Sequence, residues 1–257
     1  MKRITILSIA LVIGLSPIAA AEEEWGEAMS WLALETTKSG KSRDLISAAI
    51  KNDGPMYDEL LANGTLESWG IAIPINHSPD DTFNYMLWAT MPSWKEVGDL
   101  QAGFQKMFST RSPEDMAAGQ KLYKESTVPG SHHDWIIRHH IRRYAESDVQ
   151  PRYLVMSYWK AKPGKDEQMT AIFTRSVAPV FDRLLEEGTL LGYGITTQEL
   201  HTDPTWSHVS WTSISDLSAM DAVDEALMTS LNEVDMAAFV SASDWSAHRD
   251  QIMMIVH

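Results

Sequence analysis

Residues 55–71 read PMYDELLANGTLESWGI and residues 179–195 read PVFDRLLEEGTLLGYGI, an ungapped match at an offset of 124 with nine of seventeen positions identical. One domain is therefore expected twice in the chain. The offset holds upstream, where Lys38, Gly40 and Lys41 fall on Lys162, Gly164 and Lys165, and downstream, where His77 falls on His201.

Working outward, the first copy opens with an apolar and aromatic run over 29–37, predicted as a strand, and a turn at 38–41. A helical stretch over 42–50 breaks at Asn52-Asp53-Gly54-Pro55. Pro55 suits the first position of a new helix, and Asn63-Gly64 ends it. Strands are predicted over 66–75 and 82–91, with counterparts at 190–199 and 206–214 and one residue fewer in the second joining loop. Trp94, Val97, Leu100 or Gln101, Phe104 and Met107 then recur at helical spacing, the first four matched by Leu217, Met220, Val223 and Leu227. Each copy adds a polar helical stretch, around 114–124 and 233–241, and closes on a strand over 135–144 or about 251–257.

Strand, helix, strand, strand, helix, strand is the split βαβ plan, whose four-stranded sheet carries helices on one face only. Burying about ten side chains of the open face at roughly 1.5 kcal/mol each gives on the order of 15 kcal/mol as an upper bound. A whole domain has a net stability of about 5–15 kcal/mol. The open face must be covered, and the second copy is the available cover. The expected fold is α+β: two tandem ferredoxin-like (βαββαβ) repeats packed sheet to sheet as a pseudo-dimeric α/β barrel, over residues 22–147 and 148–257.

This order and the repeated P-x-x-D-x-L-L-x-x-G-T-L…G-I pattern resemble the dimeric α/β-barrel superfamily, in which two ferredoxin-like units pack sheet on sheet, sometimes fused in one chain. The resemblance spans nearly all of the chain after residue 21 and carries no catalytic signature. It implies a ligand-sized cavity. The superfamily includes cofactor-free monooxygenases of quinol-like substrates, stress-response proteins, and haem proteins such as chlorite dismutases and dye-decolourising peroxidases.

Residues 1–21 place Lys2 and Arg3 before an apolar run over 4–15 and the small residues Ala19-Ala20-Ala21, the order of a secretory signal. Cleavage after Ala21 and a periplasmic or secreted location are expected. The apolar run is short of the roughly 20 residues that span a bilayer. Without Lys2 and Arg3, 19 basic residues face 35 acidic ones, a formal charge of −16. Such a surface repels phosphate backbones and anionic lipid, so no nucleic-acid partner and no membrane insertion after cleavage are expected. The absence of cysteine excludes disulfides, thiolate metal sites and a thiol nucleophile.

The chain contains no G-x-S-x-G, P-loop, dinucleotide fingerprint or H-E-x-x-H. Candidate chemistry rests on histidines and aromatic residues. Alternation along the third strand of each copy sets Tyr85 and His208 at one matched position, expected to face the barrel interior together with Trp206. Met86 with Trp88, and Val209 with Trp211, are expected to pack under the helices. In residues 131–144, Trp135, Ile137, His139 and Ile141 are expected on one face, and Arg138, His140, Arg142 and Tyr144 on the other.

His139 is either a proton shuttle or ligand, or a hydrogen-bonded core histidine. His132, His133 and Asp134 match no metal-ligand spacing, and no metal site is expected. The doublet Asp134-Trp135 recurs as Asp244-Trp245, which suggests a cap. His77 and His201 are expected in hairpin loops. Gly70 and Gly194, inside strands, mark close approach of a helix or a ligand.

The expected function is an exported protein binding a small apolar or aromatic molecule in an aromatic cleft, with His139 and His208 as acid or base and Tyr85, Tyr193 and Trp206 as lining. Cofactor-free, monooxygenase-like oxidation is one form of this; cofactor identity stays open. The alternatives are a haem or metal protein using a cleft histidine, and an assembly module, a homo-oligomer with both sheet faces filled and no pocket.

Overall fold

The computed structural model describes residues 28–76, 83–200 and 202–257; residues 1–21, His77 and His201 lie outside them. In the first half, β1 (Met29–Glu35) leads to α1 (Ser42–Asn52) and α2 (Gly54–Ala62), with Pro55 in the first turn of α2. Then come β2 (Ser68–Pro74), β3 (Tyr85–Met91), α3 (Trp94–Thr110), α4 (Pro113–Ser126) and β4 (His133–Tyr144). The second half has β5 (Tyr153–Trp159), α5 (Asp166–Ile172), a π-helical turn Phe173–Val177, and α6 (Ala178–Glu186). It ends with β6 (Gly192–Gln198), β7 (His208–Ile214), α7 (Ala219–Ser230), α8 (Glu233–Ala242), a 3₁₀ turn Trp245–Ala247, and β8 (Arg249–Ile255). Side-chain caps start the polar helices: Ser112 accepts from the Asp115 amide at α4, and Asn232 accepts from the Asp235 amide at α8.

The eight strands close into one antiparallel barrel in the order β1-β3-β2-β8-β5-β7-β6-β4. The halves are joined by hydrogen bonds at two seams, β2 with β8 and β4 with β6, so neither has an open sheet edge there. Helices cover the outside. In the first half Tyr57, Leu60, Tyr85 and Leu87 pack in their shadow, and in the second Phe173, Phe181, Tyr193 and Ile195. A third core lies inside the barrel, built from Leu32, Met86, Trp135, Tyr158, Trp206 and Trp211 among others.

This reverses the expected faces of the third strands. Tyr85 and His208 point outward under the helices, while Met86, Val209 and Trp211 point into the barrel. Both faces of β3 and β7 are covered, so alternation defines two sets of residues without saying which set is enclosed. Trp206 is inside, as expected; it precedes the first residue of β7, so its side chain does not follow His208.

Gly70 and Gly194 accommodate neither a helix nor a ligand. A Cβ on Gly70 would lie 2.4 Å from the Trp88 ring, and one on Gly194 would lie 2.5 Å from the Trp211 ring. Each glycine is paired directly with its tryptophan on the adjacent strand, which folds across the bare backbone.

Ladder register corrects the matching of the last strands. Met29 faces Arg138 as Tyr153 faces Met254, so β8 corresponds to β4 at an offset of 116, not the 110 of the Asp-Trp doublet. The Asp244 amide bonds the Lys160 carbonyl as the Val128 amide bonds that of Thr36. Trp135 is buried inside the barrel, whereas Trp245 sits on the 3₁₀ turn against Trp159 and Phe239.

The β4–β6 ladder slips between His139 and Ile141, a bulge at His140. The extra residue inverts the alternation beyond it. Ile137 and His139 face inward before it, and Arg142 and Tyr144 face inward after it, while Ile141 joins the outer core. The expected pairing of His139 with Ile141 on one face is thereby overturned.

Candidate functional site

A cavity of about 650 Å³ lies in the second half between the outer face of the sheet and the covering helices. Its origin is visible by comparison with the first half. There Trp31 stands on β1 with its ring 5.6 Å from that of Phe104, and Leu87 and Ala89 fill the sheet face between strand and helix. The ladders put Val155 at the Trp31 position, Ser210 at that of Leu87 and Thr212 at that of Ala89. Leu227 occupies the helical position of Phe104. Val155, Ser210 and Leu227 are smaller than Trp31, Leu87 and Phe104, and Thr212 in place of Ala89 gives back only a little of the volume they leave open.

The walls are aromatic and soft. Trp159, Phe173, Phe239 and Trp245 meet edge to face, and Met220, Met228 and Met236 close the helix side. The π-helical turn contributes Phe173 and Val177. It is tied to the start of α8, where Asp235 accepts from Arg175 at 2.5 Å and from the Ser176 hydroxyl at 2.7 Å. Those two bonds, the hydroxyl's first, hold the Asp235 carboxyl below its ordinary range. The floor is polar: Ser157, Ser210 and Thr212 present hydroxyls from β5 and β7.

Two polar atoms of this cavity stand out. The His248 ring lies against that of Trp159, centroids 3.6 Å apart, and both line the space. Trp159 Nε1 and His248 Nε2 are buried and have no hydrogen-bond partner among the described residues. Asp250 approaches His248 Nε2 to 3.4 Å, an ion-pair distance without hydrogen-bond geometry. A buried unpaired polar nitrogen costs roughly 1–3 kcal/mol, so two in one aromatic pocket mark a place where a ligand oxygen completes the bonding.

The overall architecture has counterparts among solved structures. A candidate monooxygenase from Fusobacterium nucleatum matches over 90% of this chain and 92% of its own, with a TM-score of 0.58 and 11% identity. An anthrone oxidase-like protein matches over 91% and 93%, at a TM-score of 0.55 and 11% identity. A variant of the chlorite dismutase from Candidatus Nitrospira defluvii matches over 90% and 92%, at 0.53 and 9%. The fold is that of the dimeric α/β barrels. No family model matches the chain, and no curated protein matches it in sequence. At these identities the likeness concerns the fold alone.

The five residues singled out from the sequence do not come together. His139 and Trp206 are inside the barrel. Tyr85, Tyr193 and His208 lie outside it under the helices. Tyr85 packs in the first half's outer core. Tyr193 packs on Phe181 and donates its hydroxyl to Asp182 at 2.6 Å. His208 is 1% exposed and both ring nitrogens are engaged, with Thr170 at 3.0 Å and with Ser207 at 2.8 Å. Burial holds its imidazole down at about 4, so it is neutral at pH 7.

His132 lies at the other end of β4, bonded to Glu35 at 2.7 Å and to Asp134 at 3.0 Å, away from His139 inside and His140 outside. Arg138, Arg142 and Arg143 pair with Glu199, Glu67 and Asp182. The residues missed were His248 and Trp159. Neither sits in a motif; the signal was the repeat itself, which puts Val155 where the first half has Trp31.

The fold's haem-binding members pose a question of fit. Among the described residues no Lys or Arg lines the helix-side cavity, whereas Asp224, Asp235 and Asp250 do. Two haem propionates would meet carboxylates and find no counter-charge. His139 and His208 have their Nε2 atoms bonded to Ser30 and Thr170. His139 and His208 therefore offer a haem iron no free Nε2 atom, and the carboxylate lining does not suit haem propionates; among the described residues the His248 Nε2 atom is the one feature of the helix-side cavity that would suit a haem iron.

Proposed function

We propose that the chain binds a neutral aromatic molecule carrying a phenolic or ketonic oxygen in the helix-side cavity of its second half. The observation that carries this is the pair of unpartnered ring nitrogens, Trp159 Nε1 and His248 Nε2, in one aromatic pocket. Trp159 Nε1–H donates to the ligand oxygen. His248, with Asp250 beside it, exchanges a proton with it. The carboxylates around the cavity select against anionic ligands. Proton removal from the hydroxyl tautomer of an electron-rich ring system such as anthrone gives an anion that dioxygen oxidises without a bound cofactor, yielding anthraquinone and water. That chemistry agrees with the oxidase-like and monooxygenase-like neighbours of the fold.

The experiment is oxygen uptake with anthrone as probe, alongside calorimetric binding of anthraquinone. Turnover is expected from the native chain and a fall of at least tenfold from His248→Ala; Val155→Trp should abolish both turnover and binding. Turnover unchanged in both variants would sink the proposal. Binding without turnover would leave a binding protein and remove the enzymatic part.

The same reading takes residues 22–147 and 148–257 as two fused ferredoxin-like units, exported with residues 1–21 removed. N-terminal sequencing of material from an exporting host is expected to start at Glu22. Self-association is proposed through the α7–α8 edge, where Met228 and Val234 stand 78% and 77% exposed. An assembly module without a pocket is not favoured, because the cavity is present.

A further inference from the structure

The barrel interior is only partly filled. Phe83, Trp135, Tyr158 and Trp206 pack edge to face and plug one part of it. A separate cavity of about 560 Å³ remains, walled by Leu32, Trp88, Leu154, Met156, Trp211 and Ile255. It lies on the opposite face of the sheet from the helix-side cavity, and no residue lines both.

One corner of this apolar space is polar. The Ser30 hydroxyl lies 2.8 Å from that of Thr90 and 2.8 Å from His139 Nε2. His139 is 4% exposed, and its Nδ1 is buried with no hydrogen-bond partner among the described residues. The ladders show that the fold does not require this corner. Ser30, Thr90 and His139 correspond to Leu154, Ser213 and Ile255, and all six line the same cavity. In the second half the serine and histidine positions are filled by Leu154 and Ile255. The first half keeps an orphaned imidazole nitrogen there instead, at a cost of roughly 1–3 kcal/mol.

We infer that the barrel interior is a second ligand site, distinct from the helix-side cavity, for a small uncharged molecule with an apolar ring and one hydroxyl or carbonyl oxygen bound at the Ser30–Thr90–His139 corner. Either tautomer of the imidazole serves. With the proton on Nε2 the ring donates to Ser30 and its Nδ1 accepts from a hydroxyl; with the proton on Nδ1 the ring donates to a carbonyl. Charge points the same way. Arg142 at the cavity wall is already paired with Glu67, which also lines it. Burial holds His139 neutral, with its pKa down at about 3, so an anion finds no free counter-charge.

The test uses 1-naphthol and 1-naphthoate in calorimetric titrations of the full chain. Native protein is expected to bind 1-naphthol at two sites. Val155→Trp, which blocks the helix-side cavity, should remove one and leave the other. Adding His139→Ile and Ser30→Leu, which copy Ile255 and Leu154, should weaken the remaining site at least tenfold while the urea midpoint holds or rises. Met156→Trp in the Val155→Trp background fills the interior from the opposite wall and should abolish the same site. 1-Naphthoate should bind the interior at least tenfold more weakly than 1-naphthol.

No 1-naphthol binding in Val155→Trp would overturn the inference. So would residual binding indifferent to both interior changes, or equal affinity for the anion. Loss of turnover in His248→Ala with interior binding intact would separate the two sites.

Discussion

Among the described residues three histidines are held in the neutral form, His139 and His208 by full burial and His140 by partial burial. Burial pulls His139 down to about 3 from 6.5, and His140 and His208 down to about 4. Such a group takes up its proton on unfolding, so its contribution is complete above about pH 6.5 and is lost as the pH falls toward the folded value. Each should add a slope of roughly 1.4 kcal/mol per pH unit once the unfolded side chain is fully protonated. Urea midpoints measured at pH 7, 6 and 5 are expected to step down, and His139→Ile should flatten the descent. A midpoint constant from pH 7 to 5 would contradict the neutral burial of all three.

The strands make their own demands. Gly70 and Gly194 lie beneath the Trp88 and Trp211 rings, so Gly194→Ala must displace the Trp211 ring. It is expected to cost about 1–3 kcal/mol by overpacking. Trp211→Leu in the same chain should recover part of that loss, a coupling readable in a double-mutant cycle from denaturant unfolding. Strictly additive effects would argue against the contact. The bulge in β4 is a second device. Deleting His140 would make the ladder regular and leave every other residue on its present face, with Ile141 outside and Arg142 and Tyr144 inside, because His139 and Ile141 already pair with the consecutive residues Thr196 and Ile195. Arg142 therefore keeps its pairing with Glu67, and the urea midpoint is expected to fall only by the loss of the His140–Thr197 hydrogen bond, about 0.5–1.5 kcal/mol; a sharp fall would show that the strand end had inverted instead.

Seen entire, the molecule is one barrel whose halves differ in what they fill. The first half packs Trp31 and Phe104 under its helices and keeps Ser30 and His139 inside; the second does the opposite with Val155, Leu227, Leu154 and Ile255. Val155→Trp with Leu227→Phe, copying the first half's filling, is expected to hold or raise stability while closing the helix-side cavity. Thermal denaturation with and without the ligand checks this, since ligand should no longer shift the midpoint. Because β2–β8 and β4–β6 weld the halves edge to edge, unfolding is expected as a single transition by both tryptophan fluorescence and circular dichroism. Two resolved transitions would show that the halves hold independently.

Element order and approximate bounds were legible because local chemistry writes them: the repeated PxxDxLLxxGTL pattern, the break before Pro55, the glycine after α2 and the helical recurrence of Trp94, Val97 and Phe104 all act within a few residues. What lay inside was not legible. Tyr85 and Met86 are both apolar enough to be buried, and only barrel closure chose Met86 for the interior. One extra residue at His140, indistinguishable in sequence from regular strand, brought Arg142 to the same side as His139. His248 and Trp159 belong to different strands' ends and meet only when β5 and β8 pair. The sequence by itself determined the repeat, the elements and the need to cover an apolar sheet face. Tertiary structure alone decided which face became the interior and where cavities remain, because both depend on side-chain volumes summed across strands that are distant in the chain.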